Sequence, residues 1–137
     1  MIVADASVLM HAIVQSPFSM EVDQSWTVDP YWIAPALWRS ELRSGLTKHV
    51  RHGSFPSRDA FERALEAENL ISETIEIRDH HLVLTIALES GCSAYDSEYI
   101  ALAMEKGLPL LTYDRKLIDL FPGIAIMPGD WLKQNED

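Results

Sequence analysis

The stretch Leu108-Pro109-Leu110-Leu111-Thr112-Tyr113-Asp114 is a short apolar run that ends in a carboxylate, and the start of the chain, Met1-Ile2-Val3-Ala4-Asp5, has the same form. Each run is typical of a buried strand in a parallel sheet. Open α/β sheets place their chemistry at the carboxyl ends of their strands. Hard cations such as Mg²⁺ are bound by a few carboxylates and water. Asp5 and Asp114 therefore predict the nucleus of a metal site in an α/β protein.

Apolar runs alternate with helical patterns along the rest of the chain. Further strands are predicted at 31–34, 74–77 and 124–126, with helices between them. This alternation is typical of an α/β fold whose central parallel sheet, here of about five strands, is covered by helices on both faces. A length of 137 residues suits a single domain, 1–137, with one well-buried core.

The helical patterns also predict which side chains face the core. In the helix that begins at Ser57, Phe61 and Leu65 recur at helical spacing and are expected to be buried, as is Leu70. The helix capped by Asp79 is expected to bury three residues, Leu82, Ile86 and Leu88. Pro35 is expected near the first turn of the long helix that includes Trp38 and Glu41. Gly91 and Gly107 are placed to end later helices. Of the four tryptophans, Trp26 is expected to be the most exposed.

Two further acids lie in apolar company within helical patterns. In the helix that includes Trp38 and Leu42, the spacing places Glu41 beside or on the face that packs against the core. A surface glutamate normally avoids that face. Asp96 begins a later helix, with an apolar face just downstream of it. These two acids join Asp5 and Asp114 as candidate site residues.

Each acid taken singly also has a structural explanation. Asp5, Asp96 and Asp114 precede helical patterns, where aspartate is a preferred N-cap, and Ser93 with Asp96 fits a variant of the capping box. Glu41 has the alternative of pairing with a nearby arginine, in a chain with 21 acidic residues. Capping accounts for three of the four acids and leaves Glu41 unexplained. The joint pattern is therefore more specific than any one of its members.

The four acids, in this order, resemble the signature of the PIN-domain ribonuclease family, and the resemblance covers nearly the whole chain. That signature has an Asp ending the first strand, a Glu in an early helix, an Asp opening a late helix and an Asp after the fourth strand. Asp5, Glu41, Asp96 and Asp114 match these positions in order. Small stand-alone members of this length resemble VapC-type toxins of toxin-antitoxin pairs. The resemblance implies a metal-dependent endoribonuclease that hydrolyses RNA phosphodiester bonds, in the family often those of transfer or ribosomal RNA, and that inhibits translation as a toxin. A housekeeping nuclease is the alternative within the family.

The resemblance also implies a metal site and partners. The four acids would bind one or two Mg²⁺ or Mn²⁺ ions, and Ser7 and Thr112, each two residues from a strand-end aspartate, would orient the ligands or their waters. Glu98 and Asp119 are reserve acids, and Glu98 is expected to point away from Asp96 on the helix. Strand 1 would lie beside strand 4. The implied partners are RNA, an antitoxin whose C-terminal segment covers the acidic groove with a basic residue, and a second copy of the chain in a homodimer.

Charge limits the other functions. A net charge of −10 and a pI near 4.8 argue against a protein that wraps nucleic acid through a broad basic surface, and suit a basic protein partner. Basic residues are nevertheless concentrated in one region, where they would hold phosphates near Glu41 or form a solvated helix face. They are Arg39, Arg43, Lys48, His49, Arg51, His52 and Arg58.

Hydropathy and cysteine content set the expected location. No apolar run approaches the roughly 18 to 20 residues that span a bilayer, and the first residues lack the features of a secretory signal. A cytoplasmic protein without a membrane segment is expected. Cys92 is the only cysteine, which excludes an intramolecular disulfide and predicts a packing role.

Two other classes of protein remain open at this stage. A phosphoacceptor receiver domain is also a small α/β unit that binds Mg²⁺, but it requires paired acids after strand 1, where Asp5 has no acidic neighbour, and an acceptor after strand 3, for which Asp79 is the candidate. A non-catalytic PIN-like module that only binds RNA or protein is the other alternative.

Overall fold

Short, apolar strands form the centre of the molecule. The computed structural model describes residues 1–135. Its strands are β1 (Ile2–Ala4), β2 (Trp32–Pro35), β3 (Ile71–Ile75), β4 (Leu110–Leu111) and β5 (Ala125–Ile126). They form one sheet in the order β3-β2-β1-β4-β5, and each of its four strand pairs is parallel. The predicted fold class, α/β with a five-stranded parallel sheet, is confirmed.

Eight helices connect and cover these strands within the described residues. They are α1 (Ala6–Ile13), α2 (Ser19–Val28), α3 (Trp38–Arg51), α4 (Ser57–Leu70), α5 (His80–Ser90), α6 (Ala94–Lys106), α7 (Arg115–Leu120) and α8 (Pro128–Gln134). One group consists of α1 packed against α2, α3 and α4, with α8 on α2. In the other, α5 packs on α6, and α6 contacts β1, β2 and β4. Both helices that carry candidate acids, α3 and α6, thus belong to the layers that enclose the sheet.

The pairing of β1 with β4 fixes the position of the site. Val3 pairs with Leu110 and Ala4 with Leu111, and all four side chains are fully buried. Asp5 continues the ladder, because its N–H donates to the Leu111 carbonyl at 3.0 Å. The residues that follow the two strands therefore emerge at the same sheet edge, as the strand order implied by the family resemblance requires.

Several helix boundaries follow local sequence signals. Asp79 caps α5 by accepting from the Leu82 N–H at 3.0 Å. Gly91 and Gly107 end α5 and α6 with φ angles of +80° and +64°, which only glycine adopts without strain. Cys92 is buried, as expected. Within residues 1–135, no helix has the length and hydropathy needed to cross a membrane.

The predicted buried face of α4 is wrong at Phe61 and Leu65, whereas Leu70, also predicted for it, packs partly against the core. Phe61 and Leu65 are 71% and 67% exposed, whereas Ala67 is fully buried and Ala60 and Ala64 pack partly against the core. Small alanine side chains allow α4 to approach α1 and α3 closely, and this packing leaves the larger side chains on the outer face. Helical periodicity identified an apolar face but not the one that is covered.

Other elements differ from the sequence expectation in smaller ways. Pro35 is the last residue of β2 rather than part of the first turn of α3, which begins at Trp38. Leu88 is 82% exposed, while Ile86 on the same helix is buried as predicted. Strand β3 begins at Ile71, earlier than predicted, because it pairs with the whole length of β2. Helix α8 was not predicted.

The tryptophans are packed. Trp32, Trp38 and Trp131 are buried. Trp26 is the least buried of the four, as expected. Its indole N–H nevertheless donates to the Leu70 carbonyl, with 3.4 Å between nitrogen and oxygen. Structural packing therefore accounts for all four rings.

Candidate active site

The four predicted acids approach one another from four different elements. Asp5 follows β1, Asp114 follows β4 and begins α7, Glu41 lies in the first turn of α3, and Asp96 lies in the first turn of α6. Their charges interact: Asp5 and Asp96 each raise the pKa of Glu41, Asp96 raises the pKa of Asp5, and Asp114 raises the pKa of Asp96. The structure thus brings all four into one acidic cluster.

Asp5 is the most buried acid of this cluster. Its exposed fraction is 8%, and its Oδ2 accepts from Thr112 Oγ1 at 2.6 Å and from Ser7 Oγ at 2.9 Å. Burial raises the pKa of Asp5, and the two hydroxyl donors oppose that rise. Asp5 precedes α1 but forms no capping hydrogen bond, so the capping explanation is wrong for this residue.

The two hydroxyls that hold Asp5 are themselves held by the chain after β4. Ser7 Oγ accepts from the Tyr113 N–H at 3.1 Å, and Thr112 Oγ1 accepts from the Asp114 N–H at 3.0 Å. Each hydroxyl therefore accepts from a backbone N–H, and this contact orients the hydroxyl proton toward Asp5. Ser7 and Thr112 are in the right places to perform the orienting role predicted for them, which stays a prediction.

Glu41 is half-buried and contacts a residue that the sequence did not single out. Its Oε1 accepts from the Tyr99 hydroxyl at 2.7 Å. Burial, and then the charges of Asp5, Asp96 and Glu98, raise the pKa of Glu41 to about 7, although the Tyr99 hydrogen bond opposes this. The available signal was helical spacing, since Tyr99 lies one turn after Asp96 on the same helix.

Asp96 and Asp114 lie at helix N-termini. Asp114 Oδ1 accepts from the N–H groups of Lys116 and Leu117 at 2.9 and 3.3 Å, so the capping explanation is correct for this residue. The true cap of α6 is Ser93, whose Oγ accepts from the Asp96 N–H at 3.0 Å. Burial and then Asp114 raise the pKa of Asp96, while Ser93 and Lys116 lower it. The half of the predicted capping box in which Ser93 accepts from the Asp96 N–H is thus present.

The reserve acids differ from each other. Glu98 is half-buried, has a pKa raised by burial, and its charge raises the pKa of Glu41. It also lines a groove between α5 and α6 with His80 and Tyr95. Asp119 is exposed on α7 and shifts none of these pKa values.

The donor set suits a hard divalent cation. The cluster offers only carboxylate oxygens, and a bound cation would relieve the repulsion that raises its pKa values. Across residues 1–135, no three His, Cys, Asp or Glu side chains converge closely enough to form a preformed metal cage. Mg²⁺ typically retains several waters and takes one or two carboxylates directly, so a looser acidic cluster is compatible with it.

Some basic residues of the region around Glu41 already interact with other protein groups. Arg39 forms an ion pair with Glu68, with 2.7 Å between Nη2 and Oε1, and its guanidinium lies 5.1 Å from the centre of the Trp38 ring. Arg43 and Arg51 line a groove between α3 and α4. Arg39 is therefore engaged by protein groups, as the solvated-face explanation of the basic cluster anticipates.

The receiver interpretation does not fit this geometry. Asp79 follows β3, which is an edge strand, and its carboxylate is used to cap α5. The acids cluster instead beyond β1 and β4, at the centre of the sheet.

Comparisons with known proteins agree with this arrangement. The family model described as PIN domain matches residues 2–120. Ribonuclease VapC3 of Pyrobaculum aerophilum is 33% identical over 95 residues, which cover 62% of this chain and 67% of that protein. The crystal structure of PAE2754 from Pyrobaculum aerophilum has a TM-score of 0.76 at 24% identity, covering 96% of this chain and 92% of the other. A toxin-antitoxin complex from Klebsiella pneumoniae contains a chain with a TM-score of 0.69 at 16% identity, covering 93% and 98%. With a family match over most of its length and the four acids of its signature in one cluster, this chain belongs to the PIN domain family.

Proposed function

We propose that this protein is a metal-dependent endoribonuclease that hydrolyses RNA phosphodiester bonds and acts as the toxin of a toxin-antitoxin pair that inhibits translation. One observation carries the proposal: four acids from four elements form a single cluster at the carboxyl edge of β1 and β4. The similarity to a protein named Ribonuclease VapC3 supports RNA as the substrate. A cytoplasmic location follows from a substrate that serves translation.

Asp5, Glu41, Asp96 and Asp114 would hold Mg²⁺ or Mn²⁺ in this proposal. A cation bound there would supply an activated water and offset the charge of the phosphodiester transition state. Ser7 and Thr112 fix Oδ2 of Asp5. Clustered carboxylates, three of them with raised pKa values, create a negative field that a bound cation would offset before an anionic phosphate approaches.

The decisive experiment is cleavage of total RNA by the purified protein with Mn²⁺, beside an EDTA reaction and an Asp5→Asn variant. Asp119→Asn is a matched control, because it makes the same chemical change at an exposed acid outside the cluster. Discrete fragments are expected from the wild type and Asp119→Asn, and intact RNA from the other two reactions. Intact RNA in every reaction, with no Mn²⁺ binding, would refute the nuclease and favour the non-catalytic binding module. Cleavage that persists in EDTA would refute the proposed dependence on a metal ion.

An antitoxin is the proposed protein partner. The toxin-antitoxin complex that contains a chain of similar fold supports this proposal. A groove of about 450 Å³ between α3 and α4 is the candidate docking surface. Leu46, Val50 and Phe61 give it an apolar floor and wall, and Arg43 and Arg51 add positive charge. An apolar helix with acidic residues at its margins fits this groove, while a basic residue of the same partner would neutralise the acidic cluster.

A homodimer is the proposed assembly. Leu84 and Tyr95 line one groove between α5 and α6, Leu88 lies one turn after Leu84, and all three side chains are more than half exposed. Exposed apolar patches of this kind mark interfaces in folded proteins. Size-exclusion chromatography with light scattering should give twice the chain mass, and Leu88→Asp should give the monomer. A wild-type monomer at high concentration would refute the dimer and leave the nuclease proposal intact.

A further inference from the structure

Tyr99 is a buried tyrosine whose hydroxyl ends on a carboxylate of the acidic cluster. Its side chain has no exposed surface, and the hydroxyl donates to Glu41 Oε1 at 2.7 Å. The two residues are 58 positions apart and belong to α6 and α3. Because Tyr99 lies one helical turn after Asp96, a single helix supplies both an acid of the cluster and the hydroxyl that holds another acid.

The need of a buried hydroxyl for a partner does not by itself explain this pair. A backbone carbonyl would satisfy Tyr99 as well as a carboxylate does. Placing a carboxylate there is costly, because Glu41 is half-buried and near the charges of Asp5, Asp96 and Glu98. Arrangements that cost stability and concentrate like charges are typical of functional sites.

The contact limits what the Glu41 carboxylate can do. A glutamate side chain has several rotatable bonds, and a hydrogen bond to one oxygen removes most of that freedom before any ligand arrives. Oε1 is occupied by the Tyr99 hydroxyl, whereas Oε2 accepts no hydrogen bond from residues 1–135. The carboxylate is thus anchored through one oxygen and has the other free.

We propose that Tyr99 is a positioning residue, whose hydroxyl anchors Glu41 through Oε1 and leaves Oε2 to bind the divalent cation of the cluster. This inference rests on the proposed metal-dependent function. Tyr99 touches neither substrate nor cation, and it acts entirely through Glu41.

The test compares Mn²⁺ binding by the wild type, Tyr99→Phe and Tyr31→Phe with isothermal titration calorimetry, which requires no turnover. Tyr31→Phe removes the same atom, but at a side chain that is 42% exposed and precedes β2, away from the acidic cluster. Loss of a group that orients a metal ligand typically weakens binding by about 10- to 100-fold. Tyr99→Phe is expected to show that loss in Mn²⁺ affinity, and Tyr31→Phe to bind as the wild type does.

A purely structural role gives a different result. Tyr99→Phe would then lower the urea midpoint without metal and leave the Mn²⁺ dissociation constant unchanged, which would overturn the inference. A double-mutant cycle adds a second criterion: in a Glu41→Ala background, which has no side-chain acceptor for the Tyr99 hydroxyl, Tyr99→Phe should change the Mn²⁺ affinity less than about twofold, because its effect passes through Glu41. An equal loss in both backgrounds would also overturn it.

Two further outcomes are separable. Absence of Mn²⁺ binding by the wild type would overturn the metal-dependent function together with this inference, whereas binding that is equal in wild type and Tyr99→Phe would overturn the inference alone. If Tyr99→Phe does not fold, the wild type labelled with ¹³C-tyrosine replaces it. The Tyr99 ring signal should move in step with Mg²⁺ saturation, and a signal that stays fixed at saturation would overturn the inference.

Discussion

Replacing Glu41 with glutamine should remove one contribution to the pH dependence of stability in the metal-free protein. Burial and neighbouring acids raise the pKa of Glu41 to about 7 from an ordinary value near 4.5. The folded state therefore holds a proton that the unfolded chain releases. Its contribution to stability is complete below pH 4.5 and is lost as the pH rises through about 7. The Glu41→Gln variant has no such proton to lose.

The size of the effect follows from the same shift. Each pKa unit is worth about 1.4 kcal/mol, which gives about 3 kcal/mol without screening. Because Glu41 is only half-buried, solvent reduces this to about 1–2 kcal/mol. At a urea dependence of about 2 kcal/mol per molar, the difference between wild type and variant should change by about 0.5–1 M in midpoint between pH 5 and pH 8.

The assay is urea unfolding in EDTA at several pH values for wild type, Glu41→Gln and Glu105→Gln. Glu105 is an exposed glutamate on α6 and serves as the matched control, whose curve should follow that of the wild type. Asp5 and Asp96 also have raised pKa values and titrate in all three proteins, so the difference between curves reports Glu41. The electrostatic account of the cluster is refuted if the wild type gains stability relative to Glu41→Gln as the pH rises, or if the two curves stay parallel.

Three further results are expected from the same structure. In EDTA at pH 7, Asp5→Asn should be no less stable than the wild type, because the substitution removes a buried charge. The variant should however lose the stabilisation by Mn²⁺, which for the wild type is about 2.7 kcal/mol at a Mn²⁺ concentration of one hundred times the dissociation constant. Thermal melts with and without Mn²⁺ measure both effects. Thr112→Val removes the 2.6 Å hydrogen bond to Asp5, so urea unfolding should show a free energy of unfolding lower by about 1–3 kcal/mol. Titration with Mn²⁺ should show a weaker affinity, and an unchanged affinity would contradict the role assigned to Thr112. Phe61→Ser should cost less than about 0.5 kcal/mol in urea unfolding, because the ring is 71% exposed, whereas a buried phenylalanine would cost about 3–5 kcal/mol.

The sequence predicted the elements that carry the acids better than the way helices pack. Asp5 and Asp114 were placed correctly because strand ends are marked locally, by an apolar run that stops at a carboxylate. Phe61 and Leu65 were misassigned because periodicity reveals an apolar face but carries no information about which neighbour covers it. The alanine face of α4 is covered instead, and only the approach of α1 and α3 reveals that.

Contacts between distant side chains were also beyond local reasoning. The Tyr99 to Glu41 hydrogen bond joins residues on different helices, and nothing in either helical pattern specifies the other partner. The capping explanations illustrate the same limit. They were right for Asp114, whose partners are the next residues along the chain, and wrong for Asp5, whose hydroxyl donors include Thr112, just after β4.

The hydrogen bond between Asp5 and Thr112 has a consequence for the time at which the proposed activity first exists. These residues are separated by 107 positions, so Asp5 is synthesised long before the residue that donates to it. A growing chain on the ribosome, or a fragment that stops before β4, has Asp5 and Glu41 but neither Thr112 nor Asp114. Such a chain lacks one acid of the cluster and one of the two hydroxyls that hold Asp5. Under the proposed function, the nuclease therefore becomes active only after the residues that follow β4 have been synthesised.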